Sequence, residues 1–321
     1  MQDNAAEKPG LAARLLTGQT VALARAISVV ERDGPTVSTL LKTIQPHLGR
    51  ATVVGFTGPP GAGKSTLVNA FIAEMRGRGK TVAVAAVDPS SPITGGAVLG
   101  DRIRMAEHTM DSGVFIRSLA SRGHLGGLSA SAARVADLMD AAGFDVIVLE
   151  TVGAGQSEVE MAEMADVRIV VSAPGLGDDV QAIKAGILEI ADILVVNKSD
   201  LPLAKRTVSQ LQAMLALRAP DDWKVPVLAT NAVDRTGLPE LADAVDRKAE
   251  GRQAKGPRDA LGGRTRRLLA QSVAKYAEHR VLNDTSATID AVVTDLQQAE
   301  IGLDDAIAKI LMQLCESQDN G

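Results

Sequence analysis

The chain has 321 residues, 45% hydrophobic and 23% charged, a balance that excludes a disordered or membrane-embedded composition. Its 34 Lys and Arg stand against 39 Asp and Glu, a formal net charge of −5 that offers no basic surplus for non-specific nucleic-acid binding. One cysteine, Cys315, excludes an intramolecular disulfide and points to a reducing compartment.

In chain order, Met1-Gln2-Asp3-Asn4 shows neither a basic n-region nor an apolar h-region, so no secretory leader is expected. No apolar run reaches the roughly 18 residues that a membrane span needs, so the expectation is a soluble cytoplasmic chain with no membrane and no nucleic-acid partner. Residues 10–48 carry apolar side chains at helical spacing: Leu11, Leu15 and Leu16, then Leu23, Ile27 and Val30, then Val37, Leu40, Leu41 and Ile44. Thr20 and Gly34-Pro35 mark a start and a break. These predict an N-terminal helical extension over residues 1–49.

From 50 to 252 short β-branched runs alternate with helix-length stretches. Strands are predicted at 52–56, 81–87, 114–117, 146–150, 167–172, 193–196 and 225–228, and helices at 64–78, 128–142, 178–191, 203–217 and 238–247. Most of the strand runs are continuously apolar, which suits strands buried on both faces of a parallel sheet. The fold class is therefore α/β, a doubly wound, mostly parallel sheet with ligands at the carboxyl ends of its strands. After the polar hinge Gln253-Ala254-Lys255-Gly256-Pro257, residues 253–321 show three further apolar series at helical spacing, too small for a core of their own. They are expected to pack on the main domain or on another subunit.

Gly58-Pro59-Pro60-Gly61-Ala62-Gly63-Lys64-Ser65 fits G-x-x-x-x-G-K-[ST], after a predicted strand and at the opening of a helix that continues through Thr66. Glycines let backbone N–H groups turn inward around phosphates, and a helix N-terminus adds its partial positive charge. Lys64 is expected to reach the β- and γ-phosphates, and the Ser65 hydroxyl to ligate Mg²⁺.

Asn197-Lys198-Ser199-Asp200 reads N-K-x-D at the end of another predicted strand. Guanine presents N1–H beside its 2-amino group, and one carboxylate, Asp200, accepts from both. Adenine has neither donor and would leave a buried carboxylate unpaired. Lys198 is expected to lay its stem across the base, and Asn197 to tie this loop to the phosphate loop. Thr230-Asn231-Ala232 sits where a G protein places a short backbone clamp on the guanine oxygen, though a plain turn before a helix reads nearly as well.

Asp88, Asp101 and Glu150 fall at or beyond strand ends. Such hard oxygens suit Mg²⁺ or the orientation of a hydrolytic water, although strand-end carboxylates also cap loops and helices. Glu150-Thr151-Val152-Gly153 occupies the place of the D-x-x-G switch, with Glu for Asp and with Gln156 displaced three residues beyond Gly153. Slow intrinsic hydrolysis is the expectation. Gly-rich loops at 88–102 and 121–127 lie where nucleotide-sensing switches belong. His47, His108, His124 and His279 are scattered and make no metal spacing with one cysteine.

With these residues placed, the chain resembles the MeaB/ArgK family of P-loop GTPases over nearly its whole length. The resemblance rests on 58–66, 87–92, 99–102, 150–158, 174–187 and 197–200. It implies a GTP-hydrolysing chaperone for an adenosylcobalamin-dependent acyl-CoA mutase, gating cofactor loading and protecting the mutase. By similarity Lys64, Ser65, Asp88, Asp101 and Glu150 carry phosphate, magnesium and hydrolysis roles, Gly153 belongs to the nucleotide site, and Asp178, Asp179 and Lys184 belong to an extra switch facing the mutase. The resemblance also implies a homodimer through the C-terminal helices, which makes residues 253–321 a dimerisation arm. Asn231 departs from the usual Ser of the guanine clamp. The competing readings are a nickel-type metallochaperone GTPase, which typically carries a Cys/His metal site, and a small-molecule kinase.

Overall fold

The computed structural model describes residues 10–32, 36–88, 106–108, 110–120, 127–151, 164–175, 190–217, 223–253, 257–283 and 287–316. Of the predicted site residues, Asp101, Gly153, Asp178, Asp179 and Lys184 lie outside them.

Seven strands are β1 Thr52–Thr57, β2 Val82–Asp88, β3 Val114–Ala120, β4 Val146–Thr151, β5 Val167–Ser172, β6 Ile193–Val196 and β7 Val227–Ala229. They form one sheet in the order β3-β2-β4-β1-β5-β6-β7, with every pairing parallel. β1 lies between β4, in register from Thr52↔Val146 to Phe56↔Glu150, and β5, from Val54↔Val167 to Thr57↔Val170. The helices are α1 Leu11–Leu16, α2 Thr20–Glu31, α3 Thr36–Ile44, α4 Lys64–Gly77, α5 Gly127–Ala141, α6 Ala204–Leu215, α7 Leu238–Gln253, α8 Pro257–Asn283, α9 Ala287–Gln297 and α10 Leu303–Glu316.

Neighbouring residues of β1 point to opposite sides and both are buried, which is why its sequence does not alternate. Val53, with Ala83 and Ile147 of β2 and β4, packs against Leu15, Leu23, Ile27, Ile44 and Leu138 from α1, α2, α3 and α5. Val54, with Val84, Val148 and Ile169, packs against Leu67, Phe71 and Met75 of α4 and Leu241 of α7. Phe56 meets Phe71 edge-on at 5.4 Å between ring centres, so α4 is pinned close to the end of β1. The helices before residue 49 thus share a core with the sheet. Leu15, Leu23, Ile27 and Ile44 are each fully buried, and each such burial is worth about 1.5–3 kcal/mol.

Asp140, in the last turn of α5, is buried and accepts from the backbone N–H groups of Gly49 at 2.6 Å, Arg50 at 3.2 Å and Ala51 at 2.9 Å. One carboxylate therefore fixes the chain where it enters β1. β7 starts two residues later than the predicted 225, because Pro226 has no N–H and enters the ladder only as acceptor, from Leu194 N–H at 2.9 Å. β3 runs past the predicted 117 to Ala120, since pairing continues to Asp88↔Ala120. α7 continues past the predicted 247 to Gln253. The helix predicted at 178–191 falls outside the described residues but for its last two.

Beyond it, α8 leans on α5 and α7, and α9 packs on α10. Ile289, Val292 and Ala306 are buried, while Leu269, Val273, Leu282, Leu303, Ile307 and Met312 are exposed. No helix among the described residues is long and apolar enough to cross a membrane.

At the amino end of β6, Asp192 is buried and receives Arg168 Nε at 2.8 Å, Arg168 Nη2 at 3.1 Å and Lys248 Nζ at 2.9 Å. Lys248 also lies 4.6 Å above the ring of Trp223, whose indole N–H donates to the Asp192 carbonyl at 2.8 Å. Burial pushes the carboxyl up, but Arg168 and Lys248 outweigh it and hold it below the ordinary range. A depressed folded-state value means that the stabilisation is present above the unfolded value near pH 3.9 and is lost as pH falls through the folded one. We expect Asp192→Ala to cost about 2–4 kcal/mol at pH 7, because two half-buried cations lose their partner. The deficit relative to wild type should be constant from pH 5 to 8 and shrink below about pH 4. Urea unfolding followed by fluorescence of Trp223, the single tryptophan, measures it. A deficit under about 0.5 kcal/mol, the scale of an ordinary surface change, would refute the assignment.

Candidate nucleotide site

β1 delivers the chain to Gly58, and α4 takes it up at Lys64. Gly58 has φ 142°, and a Cβ there would strike the carbonyl oxygen of Val171 in β5. Only glycine lets the loop leave the strand so close to its neighbour. Gly63, at φ 83°, caps α4 in the left-handed region, and a Cβ on it would come within 2.6 Å of Asn197 Nδ2. The amides of Lys64, Ser65 and Thr66 precede the first bond of the helix, Leu67 N–H to Gly63 O at 2.9 Å. By helix geometry they project from an end that carries partial positive charge.

Lys64 is buried, and its Nζ donates to Gly58 O at 2.6 Å and Pro59 O at 3.2 Å. The loop Gly58, Pro59, Pro60, Gly61, Ala62 and Gly63 therefore closes around an ammonium. Ser65 is partly buried and Thr66 exposed. Asp88 ends β2, and Glu150, buried in β4, pairs in register with Phe56 on one side and Ala86 on the other. Serine hydroxyl and carboxylate are the hard oxygens that Mg²⁺ takes, and that ion keeps waters and substrate phosphates instead of a full protein cage. Among the described residues no group of three His, Cys, Asp or Glu is placed to hold a metal by itself. The donor set fits magnesium held jointly with a phosphate ligand.

A second set of loops meets this one. Asn197 follows β6 and is buried. Its Nδ2 donates to Ala62 O at 3.0 Å and Gly63 O at 3.4 Å, while its Oδ1 accepts from Thr230 Oγ1 and Ala232 N–H, each at 3.3 Å. A single side-chain amide joins three loops, the satisfied buried polar group that fixes a unique arrangement. Lys198 sits at φ 57°, a region a non-glycine residue adopts at a cost, and its Nζ reaches Gly61 O at 2.8 Å. Ser199 N–H donates to Thr230 O at 3.0 Å, tying the loop of Asp200 to that of Thr230, Asn231 and Ala232.

Two details differ from the sequence reading. Asp200 is exposed and not buried, because the loop after β6 runs over the surface. Any discrimination it exerts must draw on the base itself covering the carboxylate. The Asn231 side chain serves its own loop: Oδ1 accepts from Val233 N–H at 3.0 Å, and Nδ2 donates to Asp234 Oδ2 at 2.9 Å. Asp234 went unnoticed in the sequence, and its only signal was the spacing Asn-x-x-Asp-x-Thr typical of side-chain-capped turns.

The family described as methylmalonyl Co-A mutase-associated GTPase MeaB matches residues 23–290. A putative GTPase of Pyrococcus horikoshii is 46% identical over 274 residues, covering 83% of this chain and 86% of that one. Methylmalonic aciduria type A homolog, mitochondrial, of Caenorhabditis elegans is 36% identical over 251 residues, 72% of this chain and 63% of its own. Among solved structures, the crystal structure of LAO/AO transport system kinase superposes with a TM-score of 0.71 at 28% identity, covering 95% of this chain and 96% of that one. With a phosphate loop at β1, N-K-x-D after β6 and a match that spans both, the chain belongs to the MeaB family of P-loop GTPases.

Proposed function

We propose that this GTPase binds GTP with Mg²⁺ at the carboxyl end of β1 and serves as a G-protein chaperone for an adenosylcobalamin-dependent acyl-CoA mutase. The observation that carries the nucleotide reading is the Asn197 amide, which holds the phosphate loop and both base loops together. The partner reading draws on similarity, since the matching family is described as mutase-associated and the nematode relative carries a methylmalonic aciduria name.

In this reading the amides at the start of α4 and the Lys64 ammonium hold the β- and γ-phosphates. Ser65 ligates the ion, with Asp88, Asp101 and Glu150 holding it or its waters. An Mg²⁺ ion held by these oxygens would supply positive charge against that of the phosphates. Asp200 accepts from guanine N1–H and the 2-amino group, Lys198 covers the base, and Ala232 N–H donates to the 6-oxygen. Gly153 belongs to the nucleotide site, and Asp178, Asp179 and Lys184 to the switch that meets the mutase. The exposed apolar residues of α8 and α10 suit a homodimer interface.

Gln156 stands three residues beyond Gly153, so no glutamine is adjacent to orient the water, and turnover alone is slow. The test is GTP turnover with and without purified methylmalonyl-CoA mutase from the same organism. We expect stimulation of about tenfold or more, part of the roughly 10³ that a completed charge clamp supplies, and its reduction by Lys184→Ala. Turnover unchanged by any adenosylcobalamin-dependent mutase of the host would remove the partner.

A further inference from the structure

The loop after β7 is more heavily fastened than a turn between a strand and a helix requires. Asn231 N–H donates to Thr236 O at 3.0 Å, closing a one-rung bridge. Inside it, Asn231 Oδ1 takes Val233 N–H, Asn231 Nδ2 reaches Asp234 Oδ2, and Asp234 Oδ1 takes Thr236 N–H at 2.9 Å. The backbone bond from Thr236 holds the Asp234 carboxyl below its usual range, so it is an acceptor throughout the neutral region. Arg235 sits at φ 65°, a conformation that persists only when its surroundings enforce it.

The fastened segment brackets Ala232. Among the described residues its amide makes the single long 3.3 Å contact to Asn197 Oδ1, whereas those of Asn231, Val233 and Thr236 are each closed at 2.9 to 3.0 Å within the loop. Of these four amides, that leaves Ala232 N–H, which also lies against the Asn197 loop, with capacity for a second acceptor. Its direction is set by the residues on either side, Asn231 held by its backbone bond to Thr236 O and Val233 by the Asn231 side chain.

We propose that Asn231 and Asp234 form a side-chain latch that positions the Ala232 amide on the 6-oxygen of guanine and so sets how long the nucleotide stays bound. They are positioning residues acting through the loop, and the proposal rests on the guanine reading above. Asparagine here supplies both an acceptor for Val233 N–H and a donor to Asp234. Serine at this position retains only the short acceptor of a hydroxyl turn.

The test uses the full chain and GDP carrying a fluorescent N-methylanthraniloyl group. Asn231→Ala and Asp234→Ala should each speed its release by about tenfold, the scale of one or two lost hydrogen bonds. Asn231→Ser, which keeps the acceptor, should stay within about threefold of wild type. A base-specific readout separates positioning from general loosening. The diphosphate of 2-aminopurine riboside lacks the 6-oxygen, so its affinity should be the same in wild type and Asn231→Ala while that of GDP falls. Equal loss of both nucleotides would make the latch merely structural and overturn the proposal. GDP preferred over ADP in wild type, with release unchanged in Asn231→Ala and Asp234→Ala, would overturn the latch alone. ADP held as tightly as GDP by wild type would overturn the guanine reading and the latch with it.

Discussion

Changing Asp200 to asparagine should turn the protein from a guanine binder into a xanthine binder. Guanine offers two adjacent donors to the carboxylate. Xanthine replaces the 2-amino group by an oxygen, which asparagine Nδ2 can donate to while its Oδ1 still accepts from N1–H. A site built around a donor pair rejects a mismatched base by up to about 10⁴–10⁵ when its polar groups are buried. Asp200 is exposed, and its loop is held from below by Ser199 and Asn197. Water therefore relieves part of the mismatch, and we expect GDP affinity to fall by about 10³-fold, with xanthosine diphosphate becoming the preferred ligand. The folded state should be untouched, since an exposed substitution away from packing is worth within about 0.5 kcal/mol. Competition titration with GDP, xanthosine diphosphate and ADP decides the matter. A variant that keeps GDP affinity within threefold and gains no xanthine affinity would show that Asp200 does not read the base.

The second large effect is expected at Lys64. Its ammonium is buried inside the loop and held by two carbonyl oxygens, Gly58 O and Pro59 O, groups that orient a cation towards a bound phosphate. Removing one preorganised donor to a transferring group costs about 10²–10³ in rate. Lys64 carries a full charge where phosphate charge concentrates, so Lys64→Ala should lower kcat/KM for GTP by about 10³. Lys64→Met keeps the length of the stem without the charge and should lose as much. Both variants should unfold cooperatively with a Trp223 fluorescence transition close to wild type, because Gly58 O and Pro59 O belong to the loop and not to the core. Turnover near the wild-type rate in either folded variant would refute the phosphate-loop assignment.

How much of this was legible beforehand follows from what each feature depends on. β5 and β6 begin and end where their β-branched runs do, since a strand buried on both faces advertises its whole length. β7 did not, because Pro226 looks like part of an apolar run until the ladder shows it without a donor. The phosphate loop was readable as a local string in which every residue type has a steric or electrostatic reason. The reach of Asn197 to Ala62, 135 residues away, was legible only as an analogy, because long-range pairing leaves no local pattern. Burial of a loop carboxylate was misread at Asp200, since solvent exposure depends on how the strand end meets the surface. Asn231 read as a departure from a serine pattern until Asp234 appeared beside it, a partner that makes the longer side chain useful.

The Asp140 carboxylate has a consequence for how the chain divides. It belongs to α5, deep within the sheet's own wrapping, yet it grips the amides of Gly49, Arg50 and Ala51, at the seam where the early helices hand over to β1. A cut at residue 50 would sever this grip and strip Leu15, Leu23, Ile27 and Ile44 from the shared interior. The smallest piece that folds is therefore larger than the smallest piece that touches nucleotide. The family match begins at residue 23, inside α2, so it takes in most of α2 and all of α3 before the first strand. The early helices are part of the engine housing, and grafting experiments should carry them along with the phosphate loop.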